Sequence, residues 1–423
     1  MVYRYLPLLI YLGFVCLTWT IYALGPIRYV GFNIPLLLSF LTPLVLLTCL
    51  GFAFGVKGDL TAKVAPTPFK YLKKIYIPLL YLSVLICSFE WFMILKEGSV
   101  SSLFNFGKSY SDAYSDLDRS QVDLSASYIL NIFKRAIFSF VALASISFIS
   151  KRKTNEPKLC IIFFMFSFAL LPLLETGKLK SLGDVLVYFI GIFIIFLGTK
   201  KIKINLRQFF SACFVGIFSM FILGIVLSSR YEALGIDVEN IANKIHPLMI
   251  WAPSSTWSVL FDGFFGLGVG MLTTYVTQGM YGLSICLVMP FQWTYMAGSS
   301  YSMGKVMENL IDTQGSILDK GYALRAEEFG WGMDKWHSVY SWLASDLTFP
   351  GTLIIGFVIA FFYGRVWLRV LQQSNPMAPM MFMLLTVGML FSLANNQLLH
   401  TLEGVILASF LALLYIIAGR KIA

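Results

Sequence analysis

YVTQGMYGLSICLVMPFQWTYMAGSS (Tyr275–Ser300) interrupts a chain that otherwise reads as long apolar runs joined by short basic loops. The stretch is dense in Tyr, Trp, Gln and Gly, and a polar segment with clustered charge follows it up to Asp346. Aromatic faces interleaved with polar side chains suit amphipathic ligands such as sugars, and Trp and Tyr also gather at membrane–water interfaces. Whatever the protein does, the interruption between Ser228 and Pro350 is where its sequence stops serving the membrane alone.

Working outward, the 423 residues are 58% hydrophobic and only 13% charged, with a mean hydropathy of +0.76. Soluble domains carry about 25% charged residues, so the composition describes an integral membrane protein. Runs near the roughly 20 apolar residues that a spanning helix needs occur at 6–25, 34–56, 75–95, 128–150, 158–174, 181–199, 208–228, 348–367, 379–396 and 402–418. The fold class expected is therefore all-α and polytopic, with about ten transmembrane helices and up to twelve. Residues 1–228 form an N-terminal membrane bundle, 229–347 a large external or re-entrant insertion, and 348–423 a C-terminal set of three helices. Arg4 precedes a run without a cleavage-site pattern, so no cleaved signal peptide is expected.

The net charge of +10 raises the question of nucleic acid, and its distribution answers it. Alternate loops hold Arg4; Lys57, Lys63, Lys70, Lys73 and Lys74; Lys151, Arg152, Lys153 and Lys158; Lys200, Lys201, Lys203 and Arg207; Arg365 and Arg369; Arg420 and Lys421. Only Asp59 and Glu156 oppose them on that side, and the rest of the chain is net negative. This is the positive-inside pattern. It implies cytoplasmic termini and an external insertion, and no nucleic-acid partner. Cys16, Cys49, Cys87, Cys160, Cys213 and Cys286 are scattered through apolar segments, which excludes a disulfide framework or a clustered metal site. No phosphate loop and no dinucleotide fingerprint occur.

Ionisable groups within or beside apolar spans are costly and point to function. Glu175, Lys178, Lys180 and Asp184 bracket a short turn between two spans, either as a hydrated turn or as a cationic lip for an anionic head group. Lys134 and Arg135 lie near the external end of their span, where snorkelling suffices to explain them. Arg230 directly follows the run 208–228, as an interfacial anchor or as a bidentate grip on phosphate oxygens, with Arg325, Lys335 and Lys305 as further cations. His337 is flanked by Trp336, Tyr340 and Trp342 and can accept a proton from a hydroxyl; Asp346 could orient or replace it. His400 follows Asn395, Asn396 and Gln397, a polar cluster suited to lining a cavity. Tyr275, Gln278, Tyr281, Trp293, Tyr295 and Trp336 form the candidate sugar surface, with an interfacial belt as the alternative reading.

Four segments resemble the bacterial oligosaccharide repeat unit polymerases, the Wzy-type O-antigen polymerases. ETGKLKSLGDVLVYFIGIFIIF resembles the family's glycine-plus-basic segment, with Lys178 at the position where relatives often have arginine. LSSRYEALG resembles the segment carrying an arginine after the next span, here Arg230. TTYVTQGMYGLSICLVMPFQWTYMAGSS resembles the family's Tyr-x-x-x-Gly-Tyr-Tyr-Gly-Leu-Ser and Pro-Phe-x-Trp-Thr-Tyr-Gly stretch, with Met280 in place of one tyrosine and Ala297 intervening before Gly298. HSVYSWLASDLTFPG resembles the stretch before the last spans, with His337 and Asp346 matching.

The resemblance implies a membrane-embedded glycosyltransferase of the bacterial inner membrane that joins repeat units carried on undecaprenyl pyrophosphate, on the periplasmic face. It implies a metal-independent reaction without cofactors, and a chain-length regulator protein and membrane lipid as partners. Arg230, Lys178, Lys180 and Arg325 would hold pyrophosphate; His337, Asp346 or Glu175 would take the acceptor proton; Tyr275, Gln278, Tyr281, Trp293, Tyr295 and Trp336 would hold sugar. A flippase for the same lipid-linked oligosaccharide and an O-antigen ligase are the alternatives. The charge pattern also makes a direct expectation about topology. Cysteines placed at Ser115 and Ser316 react with an impermeant thiol reagent added outside intact cells, whereas one at Thr154 does not; labelling of Thr154 would reverse the orientation.

Overall fold

A computed structural model describes residues 2–31, 33–59, 70–96, 126–149, 157–176, 179–200, 223–229, 232, 246–251, 264–311, 316–332 and 335–420. The membrane part is built from α1 (Val2–Leu24), α2 (Ile34–Gly55), α3 (Lys70–Lys96), α4 (Ala126–Ile149), α5 (Lys158–Thr176), α6 (Lys180–Lys200), α10 (Val339–Gln372), α11 (Ala378–Phe391) and α12 (Leu402–Arg420). Between α6 and α10 come α7 (Phe264–Cys286), α8 (Tyr301–Ile311) and α9 (Tyr322–Arg325), the last flanked by 3-10 turns at Leu318–Lys320 and Ala326–Phe329. Among the described residues, eight helices are long and apolar enough to cross a membrane. The protein is thus an all-α polytopic membrane protein. Among the described residues a two-stranded antiparallel ladder, β1 (Ile27–Tyr29) against β2 (Met249–Trp251), ties the α1–α2 connection to the insertion.

The spans read from hydropathy at 6–25, 34–56, 75–95, 128–150, 158–174, 181–199, 348–367 and 402–418 correspond to these eight helices. Within the run 379–396 the helix α11 stops at Phe391, and the residues after it carry the chain on to the insertion end, where Asn396 meets Ser299. Ser392, Asn395, Asn396 and Gln397 follow as turns and take side-chain partners there. Of the run 208–228 only 223–228 lie among the described residues, within a helical stretch 223–229. The loop 97–125 and the segment 233–245 lie outside them.

Helix α10 carries the architecture. Ser338 caps it by accepting from Ser341 N at 3.2 Å. The helix then breaks at Thr348 (φ 62, ψ 166). Pro350 explains the break, since it has no N–H for the carbonyl four residues back and its ring crowds that carbonyl. Residues 339–347 thereby become a separate helical piece facing the insertion, and the helix from Phe349 onward crosses the bundle.

That crossing part lies against α2 through small residues. A Cβ at Gly51 or Gly55 would collide with the backbone carbonyl of Phe357 or Phe361, and one at Gly364 would lie 2.6 Å from Phe52 O. Small residues four apart let backbones approach closely where lipid supplies no hydrophobic drive. Around the seam, Tyr363 stacks on Phe382 at 5.1 Å, and buried Trp367 donates to Arg4 O at 3.0 Å. At the same end Arg4 donates to Gly58 O and Arg365 to Lys57 O, so these basic residues gather opposite the insertion.

A second apolar core joins the insertion to the other end, with Tyr22, Leu37 and Phe40 from α1 and α2 against Met280, Leu283, Tyr322 and Trp331. Substituting Gly55 by Leu should lower the thermal unfolding midpoint of the purified protein, at a cost of about 1–3 kcal/mol for overpacking. Gly13→Leu, where a Cβ meets nothing within 4 Å, should leave the midpoint unchanged.

Candidate functional site

The site grows from the helical face of α7. Tyr275, Gln278 and Gly282 recur at three- and four-residue spacing and so share one face. Tyr275 meets Trp336 edge to face at 4.4 Å, and Gln278 Oε1 accepts from Trp336 N at 3.2 Å. Both rings are partly exposed. One turn further along, the missing side chain of Gly282 leaves room for two polar rings. A Cβ there would lie 3.0 Å from both His337 Nδ1 and Trp331 Nε1. His337 is buried, with Nε2 3.3 Å from Gly332 O. A proton on Nε2 makes that contact a donated hydrogen bond. The Trp331 N–H is buried without a hydrogen-bond partner among the described residues.

Tyr281, next to that face on α7, packs inward. It donates to Val30 O at 2.6 Å, stacks on Tyr29 at 4.7 Å and meets Trp331 edge-on. Tyr29 in turn shares a 2.8 Å hydrogen bond with Thr277. Burial pushes both phenols up from their ordinary pKa, so they remain neutral and act as hydrogen-bonding aromatics.

Asp346 sits on the short piece of α10 before the break and is buried. One carboxylate oxygen accepts from Thr294 Oγ1 and Gly298 N, and the other from Ser299 N and Ser299 Oγ. Thr294 also donates to Ser345 O at 2.8 Å. The loop 294–299 is therefore strung across one carboxylate. Gly298 fits because a Cβ there would collide with Thr294. These four donors give Asp346 a part in holding the loop in place.

The clamped loop leads into a polar band at the same end of the bundle. Asn396 Nδ2 donates to Ser299 O at 2.8 Å, and Gln397 Nε2 donates to Asp184 Oδ1 at 3.0 Å. Lys180 Nζ lies 2.9 Å from Thr401 Oγ1 and 3.4 Å from Glu403 Oε1. His400 stacks on Tyr301, meets Trp342 edge-on, and keeps its buried Nδ1 unpartnered among the described residues. Burial, followed by the positive charge of Lys180 and offset in part by Glu403, pulls the His400 ring down to about 4. It is therefore a neutral imidazole at pH 7. On the neighbouring helices Lys134 pairs with Glu90 at 2.6 Å, and Glu175 has Glu90, Lys134 and Arg135 as charged neighbours. Glu403 and Ser299 escaped the sequence reading. The signal for Glu403 was a carboxylate in the first turn of a span.

Other candidates stand apart. Arg230 and Lys178 lie outside the described residues. Arg325 donates to Pro290 O at 2.7 Å. Trp293 and Tyr295 pack together at 5.0 Å and are about half exposed, on the far side of the Asp346 loop from its buried anchors. Between α1 and α2 an apolar cavity of about 300 Å3, lined by Val15, Trp19, Leu41, Val45, Met280 and Leu393, reaches α7 and the turn after α11. Among the described residues no group of three or more His, Cys, Asp or Glu side chains converges to hold a metal ion.

Fold and site together define a multi-pass helical membrane protein with a polar, ion-paired band at the end that carries its insertion. Comparison with known protein families, characterised proteins and solved structures returns no match.

If Asp346 holds the loop, Asp346→Asn should lower stability by about 1–3 kcal/mol, because an amide cannot accept all four donors and buried N–H groups go unmatched. The measurement is the thermal midpoint of the detergent-solubilised protein. Ser299→Ala should shift it less, and an unchanged midpoint in Asp346→Asn would leave the loop held by something else.

Proposed function

We propose that this protein is a glycosyltransferase that joins oligosaccharide repeats carried on a polyprenyl pyrophosphate, the activity of the repeat unit polymerases its sequence resembles. The observation that carries the reading is the gathering of ionic and polar groups at the insertion end. Lys180, Glu403, Asp184, Gln397, Asn396 and the Asp346-clamped loop form one connected band there. A carrier moving the same substrate across the bilayer would need such groups along its path at the midplane.

In this reading an acceptor hydroxyl oxygen attacks the anomeric carbon of the donor sugar. The bond to the pyrophosphate oxygen breaks, and lipid pyrophosphate leaves with the bonding pair. Cations placed where that charge develops lower the barrier, a role for Lys180 together with Arg230 and Lys178. His337 receives the hydroxyl proton, and Tyr275, Gln278 and Trp336 hold the sugar along one face of α7. Asp346 fixes the loop, Glu175 is the reserve carboxylate, and the apolar cavity beside Met280 accommodates part of the polyprenyl chain. No nucleotide is required, because pyrophosphate is itself a good leaving group.

A strain lacking the gene should display single repeats on its surface, and complementation should restore long chains. A strain displaying no repeats would overturn the reading in favour of a flippase or a ligase. Complementation with Arg230→Ala should yield single repeats from normally folded protein, and Arg230→Lys should rescue poorly, since a point charge cannot grip two phosphate oxygens at once. Normal chain lengths in Arg230→Ala would make that residue an interface anchor only.

A further inference from the structure

The segment between α7 and the clamped loop exposes apolar side chains in an unusual concentration. Val288, Phe291, Trp293, Tyr295 and Met296 are all exposed, Met296 at 62%. Tyr295 and Met296 both have positive φ, at 55° and 64°. Two successive non-glycine residues in this region store strain, which persists only where surrounding structure enforces it. The enforcement is visible. Thr294, Gly298 and Ser299 are tied inward to Asp346, which turns Tyr295 and Met296 outward between them.

The height of this ridge follows from α10. Beyond the break at Thr348, the stretch from Phe349 to Gln372 is long enough, at about 1.5 Å per residue, to cross the roughly 30 Å hydrocarbon core. About 25 Å of helix separates Thr348 from Arg365, which lies with Arg4 and Lys57 at the opposite end. Asp346, just outside the break, is thus level with the boundary of the core, and so is the loop it holds. Trp and Tyr favour that depth. Val288, Phe291 and Met296 offer no hydrogen-bonding group to a sugar but bury well among lipid chains. Two cations stand behind the ridge: Lys320 Nζ is 4.7 Å from the centre of the Tyr295 ring, and Arg325 donates to Pro290 O. Glu327 and Glu328 are exposed on the adjoining 3-10 turn, marking the side that faces water.

We infer that residues 288–296 form a membrane anchor that inserts into the lipid–water interface of the bilayer crossed by α10, with Lys320 and Arg325 facing anionic head groups. The occupant of the ridge is lipid, so Trp293 and Tyr295 leave the sugar surface. The inference stands on exposure, strain and depth and does not depend on the glycosyltransferase reading.

The test uses the full-length protein in vesicles of zwitterionic and anionic phospholipid. Met296→Cys and Glu328→Cys are each labelled with an environment-sensitive fluorophore, and the wild-type protein taken through the same labelling sets the background from native cysteines. The label at Met296 should lose most of its emission to a lipid bearing a nitroxide near the head group and little to iodide, while the label at Glu328 should show the reverse. Iodide quenching at Met296 as strong as at Glu328 would overturn the inference, and its relief by added oligosaccharide would put a glycan on the ridge instead. Should Met296→Cys fail to fold, Trp293→Phe gives the same answer. The share of intrinsic fluorescence quenched by brominated lipid should fall in that variant, and an unchanged share overturns the anchor.

Discussion

One carboxylate organises the insertion end of this molecule. Asp346 is buried with four donors around it, drawn from three residues of a single loop. Hydrogen bonds to a charged acceptor are stronger than neutral ones, and stranding any of these donors in a buried site would cost more than the bond itself contributes. The loop therefore has one low-energy path. That path fixes which side chains turn inward and which turn out, and it joins the insertion to the first piece of α10. The break at Thr348 and Pro350 makes the arrangement attainable, because it lets residues 339–347 follow the insertion while the rest of the helix follows the membrane bundle.

The bundle in turn depends on close backbone approach. Gly51 and Gly55 on α2 face the backbone of α10, and Gly364 faces the backbone of α2. Dispersion and packing, summed over such a seam, replace the hydrophobic drive that lipid removes. The seam holds α10 upright, so the clamp stays in register with the polar band. That band exists because α11 ends early. Asn396 and Gln397, beyond the helix end, bond to Ser299 and Asp184. Among the described residues the side-chain ion pairs lie at the insertion end of the bundle.

Electrostatic roles within the mouth divide by surroundings. Lys180 is shared between Thr401 and Glu403 and keeps partial exposure. His400, deprived of water and near Lys180, is held neutral. The aromatic residues divide in the same way. Tyr29, Tyr281 and Trp331 stack inside, Tyr275 and Trp336 meet at the rim, and Trp293 and Tyr295 face outward.

Much of this was legible in the residues themselves. Apolar run length located the eight long helices, and the basic loops assigned one end of the bundle, because hydrophobicity and the positive-inside rule act on contiguous sequence. The polar lip around Lys180 and Asp184 and the cluster at Asn395–Gln397 could likewise be picked out, since a charge or amide beside an apolar run is conspicuous wherever it occurs. Sequence could not assign them partners. Asp346 and His337 read as equivalent candidates for a base; the fold surrounds one with a loop some fifty residues away and buries the other beside Gly282. Five aromatic residues and Gln278 read as one sugar surface, yet Tyr281 is internal and Trp293 and Tyr295 point outward. The run 379–396 read as continuous helix, yet the helix ends at Phe391 and Asn396 and Gln397 bond to Ser299 and Asp184. Apolar burial is set by composition along the chain, whereas the role of a polar group is set by which donors and acceptors the fold brings within 3 Å of it, and those lie tens to hundreds of residues apart.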